Sequence, residues 1–175
     1  MTATAEHLVA DGKRFSLLFP QLVFQCSGTI TNIRIQVNGI KDCTSIEPTI
    51  VFQIWAPVAG SSNVYQLMDA HTAMISGSEA KQQCLKQEGT IKNFNIPLSI
   101  GFGGLLVQKG FIIGMHLSGN MNLVYLKSTS PPLLLDTSSD APEVGSTALF
   151  IRNESLLGFA PKIDFSFDGK YYNSL

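Results

Sequence analysis

Charge is what this 175-residue sequence has least of. Asp, Glu, Lys and Arg make up 14% of it, against the usual quarter, and they sum to a formal net charge of −1. There is no basic run and no acidic tail to grip nucleic acid or anionic lipid, so neither is expected as a partner. So little charge beside a 45% hydrophobic fraction is also the opposite of a disordered chain. Long apolar runs are missing too: the uncharged stretch at residues 94–108, for one, is interrupted by Pro97 and three glycines, and no membrane insertion is expected. Long amphipathic helices and internal repeats are absent. The first fifteen residues carry no basic segment followed by an apolar one, so no signal peptide is visible there.

Catalytic signatures are equally scarce. The chain has no GxSxG, no HExxH, no Walker loop and no GxGxxG behind a strand. Gly101-Phe102-Gly103-Gly104 precedes a strand and lacks a following Lys-Ser/Thr, so it reads as a tight turn and not a phosphate cradle. The histidines His7, His71 and His116 lie far apart. His71, near Asp69, could be oriented by that carboxylate, but an exposed loop pair is the simpler reading. His116 reads as a satisfied, half-buried side chain. No catalytic residue, cofactor or metal is expected, and the chain reads as non-enzymatic.

Cysteine is limited to Cys26, Cys43 and Cys84. These allow one disulfide with three alternative pairings, or three thiols, and spacing alone does not choose among them. None sits in a CxxC or beside a histidine.

What the sequence does have is turn-forming residues every ten or so positions between short alternating runs, the spacing of an all-β domain. Residues 19–37 show it best. After a short apolar run, Leu22 to Phe24, and a break at Cys26-Ser27-Gly28, the residues Thr29, Thr31, Ile33, Ile35 and Val37 face one side. Ile30, Asn32, Arg34 and Gln36 face the other. Residues 14–19 predict a strand ended by Pro20. In 49–55, Val51, Gln53 and Trp55 oppose Phe52 and Ile54, so both faces are apolar and the strand lies between two layers, with Trp55 in the core. Residues 64–68 predict its hairpin partner, and 71–75 a further strand. Residues 90–98 put Phe94, Ile96 and Leu98 on one face. Residues 111–117 set Phe111, Ile113, Met115 and Leu117 against Ile112, Gly114 and His116. Shorter strands are expected at 105–107, 122–126, 146–151 and 162–167, the last with Ile163, Phe165 and Phe167 inward and Lys162, Asp164 and Ser166 outward. The fold class is therefore an all-β, antiparallel, jelly-roll-like β-sandwich with at most one short helix, at 78–87. One domain spans 13–168, between a flexible arm at 1–12 and a tail at 169–175.

Residues 128–145, rich in Ser, Thr, Pro and Asp, read as a long surface loop suited to binding. Asp136, Asp140 and Glu143 are its candidate ligand-binding residues. They offer oxygen atoms of the kind Ca²⁺ takes, though not at EF-hand spacing, and a solvated loop is the preferred reading. Asn153-Glu154-Ser155 is an N-glycosylation acceptor. Tyr65, Tyr125, Tyr171 and Tyr172 could stack on a sugar ring.

In order along the chain, FPQLVFQCSGTITNIRI, VFQIWAP, VYQL, FNIPLSI and QKGFIIGMHL resemble a module of extracellular proteins of sponges, cnidarians and other invertebrates. The closing APKIDFSF is similar to that module's final strand. Ala56 stands where the family usually has Arg, and Phe111 where it usually has Asp. The resemblance implies a β-sandwich without an established biochemical activity, carried by secreted or membrane-anchored proteins. The expected function is a non-enzymatic extracellular recognition, adhesion or matrix module that meets an extracellular protein or glycan through sandwich-end loops. The alternatives are a carbohydrate-binding lectin and a self-assembling structural (coat or matrix) subunit, a homo-oligomer. The expected location is extracellular, with the cytoplasm as the alternative.

Overall fold

The β-branched and aromatic runs do become strands, and their pairing is almost wholly between segments distant in sequence. The computed structural model describes residues 14–38, 49–74, 91–98, 103–118, 125–126, 133–136, 141–152, 160–161, 163–167 and 170–173. The expected helix at 78–87 lies outside them, as do residues 1–12, and no helix occurs among the described residues. The strands are β1 Phe15–Val23, β2 Gly28–Asn38, β3 Thr49–Pro57, β4 Val64–Met74, β5 Ile91–Pro97, β6 Leu105–Val107 and β7 Ile112–Ser118. Then follow β8 Tyr125–Leu126, β9 Leu133–Asp136, β10 Thr147–Leu149, β11 Ile151–Arg152, β12 Ala160–Pro161, β13 Ile163–Phe167 and β14 Lys170–Asn173.

They form an all-β antiparallel fold. The larger sheet has the order β10-β4-β3-β7-β1-β9-β11 and the smaller one β14-β13-β2-β5, with β6 continuing the β5 edge of β2; β12 and β8 make a separate pair. The core between the two sheets takes Leu17 and Phe19 from β1, Ile50, Phe52 and Ile54 from β3, and Ile113, Met115 and Leu117 from β7. The smaller sheet answers with Ile30, Ile33, Ile35, Ile163 and Phe165. Burying each such side chain contributes about 1.5–3 kcal/mol before entropy is charged against it.

The alternation predicted for β3 and β7 holds because both strands are central and covered on both faces. Their opposite faces feed a second cluster of Leu18, Trp55, Leu67, Ile112, Leu133 and Phe150, on the far side of the larger sheet. Trp55 is wholly buried there. That cluster is enclosed because the larger sheet curls until its two edges nearly meet. β10 pairs with β4 and β11 pairs with β9, and one residue, Phe150, separates β10 from β11. The result is a sandwich whose larger layer is barrel-like.

Several expectations need correction. β1 does not stop at Pro20. The ladder to β7 skips from Leu18–Gly114 to Val23–Ile112, and Pro20 falls in that irregular stretch, where its missing N–H costs no rung. In β2, Ile30 faces inward with Ile33 and Ile35. Opposite β13 the register shifts between Ser166–Asn32 and Phe167–Ile30, so Thr31 is an extra residue that reverses the side-chain parity. β4 is one strand, not two, with a similar irregularity: Ile54 pairs with Asp69 but Trp55 with Leu67, leaving Met68 exposed. Ser166, expected outward, does lie on the outer face, yet it is buried. Lys170–Asn173, within the expected tail, forms a hairpin with β13.

The largest correction concerns residues 128–145. They contain β9, which pairs with β1 on one side and β11 on the other, and its Leu133-Leu134-Leu135 run packs into both clusters. Flanking Pro, Ser and Asp made a strand look like loop. Excising the middle of this segment would remove part of the larger sheet, not trim a surface loop.

At one end of the molecule the β1–β2 link meets the β6–β7 turn. Phe24 N donates to Phe111 O (2.9 Å) and Gly110 N to Phe24 O (2.8 Å), while Lys109 N donates to Ser27 Oγ (3.1 Å). Leading into β6, Gly104 has φ +94°, and a Cβ there would collide with Ile30 O. Close approach to β2 therefore needs glycine at this position, while Gly101 and Phe102 of the expected turn lie outside the described residues.

Candidate ligand-binding face

The residues proposed from sequence do not assemble. Asp136 ends β9, opposite Phe15. Glu143 is exposed before the turn that leads to β10, its carbonyl accepting from Ser146 N (3.0 Å) and Ser146 Oγ (2.6 Å). That turn is bonded to Leu67 of β4, through Gly145 N to Leu67 O, whereas Phe15 lies in the row that runs through Leu117 and Ile50 to Ala73. Along the strands these levels are about 20 Å apart, at ~3.3 Å per residue. Asp140, Asn153, Cys43 and Cys84 lie outside the described residues; Cys26 is exposed with a free thiol. Among the described residues no group of three His, Cys, Asp or Glu side chains gathers as a metal would require.

Asp69 and His71 lie within β4, not in a loop. The Asp69 carboxylate is engaged with backbone: Oδ1 accepts from Ala70 N (2.8 Å) and Oδ2 from Leu106 N (3.0 Å), which ties β4 to β6 of the other sheet. His116 is held in the interior, where its Nδ1 lies 3.1 Å from Ser16 Oγ. Ser16 and His116 are 0% and 3% exposed, so no substrate has a path to that hydroxyl, and the pair reads as a core hydrogen bond. Nearby, Trp55 Nε1 donates to Gln53 Oε1 (3.3 Å), while Gln53 Nε2 has no partner. Of the tyrosines offered for sugar stacking, Tyr65 packs edge-on against Phe150 (5.7 Å, 83°). Partial burial there pushes its phenol pKa above the ordinary value.

A coherent polar surface appears instead on the outer face of the smaller sheet, assembled by strand pairing. With Ile33, Ile35, Ile163 and Phe165 turned into the core, the intervening residues of β2 and β13 turn away from it. Register then aligns them with β5. One row runs Asp164–Arg34–Asn95 and the next Ser166–Asn32–Pro97. On the β14 side, Asn173 stands opposite Asp164 and Tyr171 opposite Ser166. Arg34 Nε donates to Asn95 Oδ1 (3.0 Å), fixing the guanidinium across two strands. Asn32 Oδ1 and Ser166 Oγ are buried without hydrogen-bond partners.

Asn and Asp are depleted in strands, and a central strand is stabilised more by Thr or Val. Here they occupy adjoining rungs, with two side-chain oxygens left unsatisfied, and each such group costs about 1–3 kcal/mol. The alternation had already set Asn32 and Arg34, and Asp164 and Ser166, apart from the apolar positions. What it could not show was that these strands are neighbours.

Compared with protein-family models, curated proteins and solved structures, the chain matches none of them.

Proposed function

We propose that this chain is a non-catalytic recognition module, acting in extracellular adhesion or matrix assembly, and that it engages its partner through the outer face of the smaller sheet. The observation that carries the reading is the row Asp164–Arg34–Asn95 beside Ser166–Asn32: polar side chains on paired strands, placed where they add little to stability. A rigid sheet holds such groups in fixed relative positions more exactly than loops do. The invertebrate extracellular module that the sequence resembles is in keeping with this use.

Adhesion of protein-coated beads to intact animal cells and to cell-free extracellular matrix tests it. Wild-type beads are expected to adhere to at least one of these surfaces. The double variant Arg34→Ala/Asn95→Ala is expected to lose about 90% of that adhesion and to melt within a few degrees of wild type, since Asn95 is exposed. Wild-type beads that adhere to neither surface would overturn the reading.

A self-assembling structural subunit is the second reading. It is favoured by large apolar side chains that face solvent on the larger sheet and its connections: Leu149 at 58% exposure, Ile151 at 54% and Val144 at 60%, with Leu106 of β6 at 66%. On that reading light scattering shows a concentration-dependent rise in mass, abolished by Leu149→Ser/Ile151→Ser. A constant monomer mass up to millimolar protein removes it.

A further inference from the structure

We infer that the ligand of this face is a neutral oligosaccharide lying across β13, β2 and β5, a conclusion that rests on the recognition reading and narrows it to one chemistry. A sugar presents hydroxyls that both donate and accept, so a face that holds it needs both kinds of group at short intervals. Asp164 supplies acceptors, Arg34 donors, and Asn95 and Asn32 both. Neighbouring strands place them at steps of about 4.8 Å, comparable to the length of one sugar ring.

The charge of the row points to a neutral chain. Arg34 and Asp164 stand directly opposite each other, so their formal charges cancel, leaving no excess for an acidic polysaccharide or a phosphate backbone. The composition argues against a protein partner. The buried centre of a protein interface is enriched in aromatic residues, Met and Arg and depleted in Asp and Ser, and of the residues that β13, β2 and β5 bring to these rows only Arg34 fits the enriched set. Of the six positions that β13, β2 and β5 bring to the two rows only Pro97 is apolar, β14 adding Asn173 and Tyr171; of the exposed large hydrophobic residues of the described chain, Val23, Met68, Val144, Leu149 and Ile151 belong to the larger sheet and its connections and Leu106 to β6.

The independent observation is the pair of orphaned oxygens. Ser166 is only 6% exposed, and its Oγ has no partner; Asn32, its cross-strand neighbour, leaves Oδ1 equally unsatisfied. Native structures rarely leave such groups unmatched without a reason. A hydroxyl-bearing ligand seated over the row supplies one: a small shift of the covering side chains on binding lets both oxygens join its network. On this account Ser166 and Asn32 add to affinity when the ligand arrives.

The test is binding of the full chain to an array of neutral hexose and N-acetylhexosamine oligosaccharides, with sialylated and sulfated glycans as the contrasting set. Titration calorimetry of the best neutral hit follows. Expected are saturable binding to a neutral chain, competed by the free oligosaccharide, and at least tenfold weaker binding by Asp164→Ala and by Asn95→Ala. Leu149→Ser, on the other sheet, is expected to bind as wild type does. Circular dichroism melts of each variant identify any that lose binding by unfolding. Should Asp164→Ala unfold, Asn95→Ala at its exposed site decides the matter.

A blank neutral array, or binding confined to acidic glycans, overturns the inference. So does neutral-glycan binding that is unchanged in folded Asn95→Ala. If the array is blank while wild-type beads still adhere to cells or matrix and Arg34→Ala/Asn95→Ala beads do not, the recognition reading stands and only the carbohydrate assignment falls. If wild-type beads also fail to adhere, both fall.

Discussion

Phe150→Ala is expected to lower the unfolding free energy by about 3–5 kcal/mol, the range for truncating a buried aromatic side chain. For a chain of this length that is a fall in Tm of roughly 6–20 °C. The ring is fully buried. It meets Trp55 edge-on at 4.9 Å and 85° and Tyr65 at 5.7 Å and 83°, each such pair contributing about 0.5–1.5 kcal/mol beyond area burial. Its backbone N–H donates to Asn63 O (2.8 Å), so the residue also anchors the closing segment to the β3–β4 turn. Trp55 is the sole tryptophan, which makes its fluorescence a direct report on this site. A red shift in the native state of the variant would show water entering where the ring had been. Phe150→Leu, which keeps most of the volume, should recover more than half of the loss. A Phe150→Ala variant that melts within about 2 °C of wild type would refute the closed arrangement of the larger sheet.

Gly114→Ala is expected to cost about 2–3 kcal/mol although it adds a single methyl group. Gly114 lies in β7, between β1 and β3, where it pairs with Leu18 on one side and Gln53 on the other. A Cβ there would come within 2.8 Å of Leu17 O and 3.0 Å of Trp55 Nε1. The carbonyl belongs to a neighbouring strand that is itself paired on both sides, so relief requires moving a ladder or tilting the indole out of its cluster. The measurement is a denaturant midpoint at unchanged m-value. Because one of the two contacts is with the indole, combining Gly114→Ala with Trp55→Phe should cost less than the sum of the two single changes. Wild-type stability in Gly114→Ala would mean that the indole does not cross over β7 as described.

Both effects come from the second apolar cluster, and only part of it was legible. The alternation in residues 49–55 correctly gave a strand covered on both faces, because adjacent Phe, Ile and Trp side chains leave no face for water; for 111–117 it gave the two sets of side chains but not that both are covered. Which strand lies beside which was hidden. Ser16 meets His116 across 100 positions of sequence, and nothing local encodes that distance. Local irregularity hid more: one inserted residue at Thr31 turns Ile30 inward, against a strict period of two. β9 was missed because three leucines set among Pro, Ser and Asp carry no alternation. They are partly or fully buried on both faces through contacts that only the assembled sheet supplies.

The candidate site failed and then reappeared for the same reason. Asp136 and Glu143 are seven positions apart in sequence, yet the strand that ends at Asp136 carries it away from the turn that holds Glu143. Arg34, Asn95 and Asp164 are scattered over the whole chain, yet they share one row. Sequence proximity favoured the first set, and β-pairing, which costs chain entropy to close, favoured the second.

The continuity of β10 and β11 through Phe150 also governs how this molecule meets other strands. A sheet ordinarily ends in two rows of backbone groups that can template another chain. Here a single six-residue stretch, Thr147 to Arg152, occupies both rows at once, against β4 and against β9, so at that level neither rim is offered to a newcomer. In the smaller sheet the outermost described strands are β14 on one side and β5 and β6 on the other. Of these, β5 ends in Pro97, which has no N–H to give. The β14 side, where Asn173 pairs with Asp164 and Tyr171 with Ser166, has no such stop among the described residues.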